Sequence, residues 1–416
     1  MMEGKGGICV LDPFGGTSNQ ISHGELSDRE GVQAAPEGKI LSPSLMDLIT
    51  FPQEPGFEHR ETLFSLACAA KRSGVGIVGL MPDVVPVTDH DGVVRTLRDG
   101  AQREKTGVQF LPHGALSVGL EHEDIAPMGE LKASGVRMVT DGGRPVRDPR
   151  FLRRALEYAL NFELPVLLQP LDPELSAGGL APEGPEATRY GLPSIPDAAE
   201  RLAVLRAGEL ARLTGAHIVL FPVVTEAGLD ALELVRRRGA RVDAGTALPY
   251  LTWSVNDLAT FDGLYRIHPP LWREPDIKAL ADAVRGGVLN FLSTGHRAVN
   301  LSEKATELPQ AEHGMATLPV LWDLLLKIER EREIPLLDLV KGFSSGPAKL
   351  LKLETWTNRV IIGNADATAG RTQDGVTLAQ NLPDLGAARK NFEVLQAFGG
   401  AEGSGLIPTL SVDLNI

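Results

Sequence analysis

Hydrolytic or metal chemistry in this chain has to come from nine histidines, two cysteines and a few carboxylates that close apolar runs. A catalytic zinc needs about three ligands drawn from His, Cys, Asp or Glu, converging on one point with a position left open for water. His268, in the turn RIHPPLW, and His296, just after GVLNFLST, are the two histidines placed where a strand ends, and Asp141 after VRMVT is the only third ligand on offer. Asp83 and Asp89, in MPDVVPVTD, add carboxylates, although Asp beside Pro is also ordinary turn chemistry. His23, His59, His90, His113, His122 and His313 have no partner at i+2 or i+4 and read as surface or loop-bonded, while His217 begins a strand, at the end away from chemistry. Cys9 and Cys68 sit in no C-x-x-C or zinc-type spacing, which predicts buried thiols and a reducing compartment. Gly142-Gly143 and Gly178-Gly179 lack a dinucleotide-binding spacing, and the run Arg236-Arg237-Arg238 reads as a solvated helix end.

These residues would be positioned by alternating helical and apolar segments. TLFSLACAAK (62–71) predicts a helix that feeds the strand VGIVGLMP; helix-like runs at 124–134, 149–162 and 198–214 precede VRMVT, LPVLLQP and HIVLFPVV. Further rounds are 229–238 before ARVDAG, 275–285 before GVLNFLST, and an apolar helix at 318–328. With MDLITF (46–51) as the first strand, this makes about eight βα units, which fits a closed barrel better than an open doubly wound sheet. The division predicted is residues 1–44, part of a β-rich side domain; 45–345, an α/β barrel of the (β/α)8 TIM type; and 346–416, an irregular segment completing the side domain, with one helix around 385–397.

Charge narrows the partners. With 54 acidic against 41 basic residues the net charge is −13, which disfavours nucleic acid and anionic membranes. The N-terminus shows no secretory pattern and no stretch approaches a membrane span, so the expected location is the cytoplasm.

Ordered blocks then resemble the dihydroorotases of the amidohydrolase superfamily: DLITFPQEPGFEHRET (47–62), MPDVVPVTD (81–89), HGALSVGL (113–120), VTDGGRPV (139–146), QPLDPELSAGG (169–179), HPPLWRE (268–274) and STGHRAVN (293–300). The resemblance implies an amidohydrolase barrel and identifies the positions where that family works. Ile49 and Phe51 stand where it has two zinc-binding histidines, Gln53 where it has a carboxylate-binding arginine, Asp83 where it has a substrate-binding asparagine, and Val118 at a lysine carbamylated in some members. Asp141 remains of a paired aspartate whose second member is Gly142; Gln169 and Pro222 match two more histidine ligands, and His268 matches an asparagine. Gly295 matches the catalytic aspartate and Val299 a substrate-binding histidine.

Without the metal, water keeps a pKa near ~15.7 instead of about 7. The resemblance therefore predicts a catalytically silent relative that holds no zinc. The segment 153–200 is most similar to non-catalytic bacterial members, which implies a scaffold role in a hetero-oligomer with the catalytic subunit of aspartate transcarbamoylase. Two other readings stand beside this one: a hydrolase or lyase with a rewired site using Asp83, Asp141, His268 and His296, and a module that keeps the pocket to bind a small ligand.

Overall fold

The computed structural model describes residues 8–12, 17–21, 40–103, 106–353, 359–364 and 392–398. Apolar runs without polar alternation are the mark of parallel strands buried on both faces, and most of the eight barrel strands are of this kind. The eight are β1 (Leu45–Phe51), β2 (Val75–Leu80), β3 (Gln109–Pro112, continued by Gly114–Ala115), β4 (Val139–Thr140), β5 (Val166–Leu168), β6 (Ile218–Leu220), β7 (Val242–Ala247) and β8 (Phe291–Ser293). Each pairs in parallel with the next, from β1 through to β8.

Side chains close the ring. Asp47 of β1 accepts the Ser293 and Thr294 hydroxyls and, at 3.0 Å, the Thr294 N–H, while the short strand His296–Arg297 pairs in parallel with Thr50–Phe51. β3 is broken at His113, whose ring Nε2 lies 2.8 Å from the Leu48 carbonyl; burial holds this histidine down to about 4, so it is a neutral strut between β1 and β3. It is fully buried, unlike the surface or loop histidine expected.

The helices begin where their capping residues dictate. Thr62 and Ser65 form a capping box at the start of Leu63–Arg72, whose last turn carries Lys71 and Arg72. Asp148 caps Pro149–Leu160 ahead of a proline in the first turn, and Thr225 caps Glu226–Arg237. Between strands these helices pack their apolar faces, such as Phe151, Leu152, Ala155, Leu156 and Ala159, against the barrel.

The chain is thus an α/β barrel of the TIM type, with two differences from the sequence expectation. β3 is the strand that periodicity missed, because QFLP is short and its burial alternates; the helix expected at 318–328 is present as Leu321–Arg332, but it follows β8 and feeds no further barrel strand. Toward the C-terminus, Phe392–Phe398 is a strand and not part of a helix, because FEVLQAF pairs antiparallel with Arg359–Asn364; residues 385–391 lie outside the described residues. Those two strands join Ile40–Pro43, Ile8–Asp12 and Thr17–Ile21 in one five-stranded sheet drawn from both chain ends. Among the described residues no helix is long and apolar enough to cross a membrane.

Candidate active site

In closed βα barrels the loops at the strand C-termini carry the chemistry. Here they surround a cavity with about 710 Å³ of atom-free space, open solvent at the mouth included. Seven of the positions identified from sequence line it: Ile49, Phe51, Gly142, Gln169, Pro222, His268 and Gly295. The walls are mostly apolar, with Met81, Leu167, Phe221, Ile267 and Met315 added to Ile49 and Phe51.

Asp83 stands directly behind this lining. Gly142 has φ +67°, and a Cβ built on it would lie 2.0 Å from the Asp83 Oδ2. The Asp83 carboxylate therefore fills the space that any side chain at 142 would need. Its Oδ2 is buried and meets no hydrogen-bond donor among the described residues. Burial pushes this carboxyl up to about 6, against the pull of Arg297 and Arg144 and with a further push from Asp141. At neutral pH it is an ionised base with an open lone pair. On the neighbouring wall Gln169 is 8% exposed and its Oε1 also lacks a donor, so two acceptors face one region.

Part of the lining is cationic. Arg297 places its guanidinium 5.6 Å from the Phe51 ring centroid and 3.5 Å from Glu312. His268 and His313 meet edge to face at 6.2 Å. His268 stays accessible from the mouth, but enclosure and the charges of Arg266 and Arg297 hold it down to about 4; burial and the same cations hold His313 down to about 2. Both rings are neutral at neutral pH. Tyr250 donates its hydroxyl to the Pro269 carbonyl at 2.7 Å, and burial raises its pKa further.

The remaining predicted positions do not join this group. Asp141 accepts from the Leu116 and Ser117 amides at 2.8 and 2.9 Å and from the Ser117 hydroxyl at 2.6 Å, which fixes the turn after β3. Gln53 is 4% exposed and donates Nε2 to the Phe51 carbonyl. Val118 is 47% exposed, outside the cavity, and Val299 is buried against Gly314. His296 lies 3.1 Å from Glu61 and accepts from the Leu318 amide through Nδ1, so its ring is engaged there, whereas the Asp141 charge reaches Asp83. Arg297 went unnoticed in the sequence, and His313, read there as surface or loop-bonded, instead lines the cavity. A basic residue directly after the strand-end His296 was the available signal for the first; His313 gave none.

The zinc implied by the family resemblance does not fit these residues. Ile49, Phe51, Pro222 and Gly295 offer no side-chain donor and Gln169 only a neutral amide; among the described residues no group of three or more His, Cys, Asp or Glu could hold a metal.

A parallel eight-stranded barrel with its cavity at the strand C-termini defines a TIM barrel with the site placement of an enzyme. The chain resembles L-hydantoinase (dihydropyrimidinase) from Arthrobacter aurescens with a TM-score of 0.70 at 16% identity, over 87% of this chain and 89% of that one. It matches dihydroorotase in complex with 5-fluoroorotic acid from Saccharomyces cerevisiae with a TM-score of 0.60 at 15% identity, over 78% and 89%. In sequence, residues 38–226 match the dihydro-orotase-like family model. A dihydroorotase of Syntrophobacter fumaroxidans is 39% identical over 77% of this chain and 72% of its own length, and one of Desulforapulum autotrophicum is 36% identical over 80% and 77%. The chain belongs to the dihydroorotase-like family of the amidohydrolase superfamily.

These relatives correct the expectation that the chain is not an enzyme. Proteins named dihydroorotase at 39% and 36% identity, on a fold shared with hydantoinases, set it among hydrolases. The physical reason for the error is that the lost metal ligands were taken for the loss of all polar machinery. The cavity keeps a primary amide, two neutral imidazoles and a guanidinium, with the Asp83 carboxylate behind Gly142.

Proposed function

We propose that this chain is an amidohydrolase that opens a small cyclic amide, using Asp83 as the proton-transfer group in place of a metal-activated water. In this reaction Asp83 takes a proton from water as the water oxygen bonds to the ring carbonyl carbon. The carbonyl–nitrogen bond then breaks, and the proton passes to the departing nitrogen, which regenerates the carboxylate. Gln169 Oε1 is placed to accept a ring N–H, and the apolar walls suit the flat faces of the ring.

The observation that carries this reading is the exchange at 83 and 142. A carboxylate with a buried, unpartnered oxygen occupies the volume that a side chain at Gly142 would fill. A positioned base of pKa near the working pH contributes about 10²- to 10⁴-fold, and about 6 is a suitable value for Asp83. The test is ring opening of dihydroorotate, dihydrouracil and hydantoin by chelator-treated protein, with and without added zinc. Turnover that needs no zinc and is lost in Asp83→Asn is expected; no turnover of any of the three above the uncatalysed rate sinks the reading.

Association with the catalytic subunit of aspartate transcarbamoylase is part of the same proposal, supported by the resemblance of residues 153–200. Sizing of the mixed proteins should give one larger species, and separate elution would remove this part.

A further inference from the structure

The outer side of the barrel has a charge pattern that the cavity does not use. The chain's net charge is −13, yet residues 144–154 hold five arginines against the single acid Asp148. Three of them, Arg150, Arg153 and Arg154, stand exposed on the first half of the helix Pro149–Leu160. Arg150 touches Asp148 only at 3.7 Å, Arg153 is engaged by Glu157 at 2.9 Å, and Arg154 forms no ion pair among the described residues. Between this helix and the segment 125–127 runs an open groove, lined by Ile125 and Pro127 on one side and by Arg154 and Tyr158 on the other. The chain just before that segment is acidic: Glu121, Glu123 and Asp124 are all exposed and none forms an ion pair among the described residues. His122, between them, packs its ring 5.9 Å from that of Phe151 and so ties the acidic loop to the arginine-bearing helix. The groove therefore has one acidic lip and one basic lip, with no ion pair across it. Its floor is apolar, with the Tyr158 ring braced edge to face on Phe162 at 5.1 Å. Leu160 on the same helix, and Leu202 and Leu213 on the helix Ala198–Thr214 packed beside it, extend the exposed apolar surface.

Exposed apolar surface rimmed by charge marks an interaction site, and the signs of the two lips select the partner. A half turn about an axis running along the groove sets the basic lip of one copy on the acidic lip of another, and the same rotation repeats the contact on the far side. We propose that this face joins two copies of the chain in a symmetric dimer, with Arg150 and Arg154 of each copy against Glu121, Glu123 and Asp124 of the other and the two Tyr158 surfaces flanking the axis. A second copy is favoured over an unrelated partner because the face carries both halves of its own complement. One exposed ion pair contributes little alone, but symmetry makes each pair twice, and the apolar floor supplies the buried area that the rim charges orient. The groove shares no lining residue with the strand-end cavity, so the contact stands whatever chemistry the cavity performs.

Sedimentation equilibrium of the full chain tests this at low ionic strength, where exposed charges act most strongly. The parent should sediment with twice the chain mass in the micromolar range. Arg154→Glu and Glu123→Arg each bring like charges together twice in the dimer, and each should weaken association by about ten- to a hundredfold. Both positions are exposed, and thermal melts should match the parent's. Mixing the two variants should restore the dimer, because the new acid of one copy then meets the new base of the other while the remaining contact keeps its native charges. A monomer throughout the micromolar range, a dimer that neither reversal weakens, or a mixture that fails to restore association would overturn the proposal. So would binding that the reversals abolish but that occurs only with the catalytic subunit of aspartate transcarbamoylase, which would assign the face to that partner.

Discussion

Two buried aspartates one strand apart behave in opposite ways. Asp47, at the seam between β8 and β1, is surrounded by donors: the Ser293, Thr294 and Thr50 hydroxyls and the Thr294 amide. Burial raises its pKa, and every neighbour opposes that rise by hydrogen bonding or charge. Asp83, behind the cavity lining, has an oxygen with no donor among the described residues. A saturated buried carboxylate belongs to the architecture, whereas an unsaturated one has kept its capacity for something that arrives later. The same contrast separates Asp141, held by three donors, from Gln169 and Arg266, which each hold polar atoms in reserve.

The contrast predicts that the two classes fail in different assays. Asp83→Asn should lower ring-opening turnover by about 10²- to 10⁴-fold, with a melting temperature equal to or above the parent because a poorly paired buried charge is gone. A large loss of stability in that variant would merge the two classes. Asp47→Ala should do the reverse, costing about 3 kcal/mol in denaturant unfolding by stranding several buried donors at the seam. Gly142→Ala sits between them: the added Cβ collides with Asp83 and φ is positive, so about 1–3 kcal/mol of stability should go together with most turnover.

Smaller effects concern pH. Turnover should rise as pH passes upward through about 6, where Asp83 ionises, and Arg297→Met should move that midpoint upward because the cation favouring the carboxylate is removed. Glu200 accepts from the Val224 and Thr225 amides and the Thr225 hydroxyl, yet burial pushes it up to about 8. A carboxyl with a raised folded-state pKa contributes stability that is full below its unfolded value of about 4.5 and is lost as pH rises through about 8. Melting temperatures of Glu200→Gln between those pH values should therefore fall less steeply than the parent's.

Much of the barrel was legible because parallel strands buried on both faces leave long apolar runs such as VGIVGL and LMDLITF, and because caps such as Thr62 and Asp148 are local signals. β3 was not, since four residues with alternating burial carry too little period to see. Strand-end positions could be placed on a common mouth from their order, and seven do line one cavity. What sequence could not show was compensation: that the space at Gly142 is taken by Asp83, or that Arg297, Arg266 and Lys304, on three different elements, share one neighbourhood. Reading each substituted position singly made the site look empty.

The shared volume at 83 and 142 also constrains how this chain can change. Restoring a carboxylate at 142 while Asp83 remains would force two acids into one space, and removing Asp83 first would leave a void beside glycine with neither acid in place. Neither single step is neutral, so the two positions can only be exchanged as a pair. A chain that has crossed to this arrangement is held there by its steric geometry, whatever selection later asks of its chemistry.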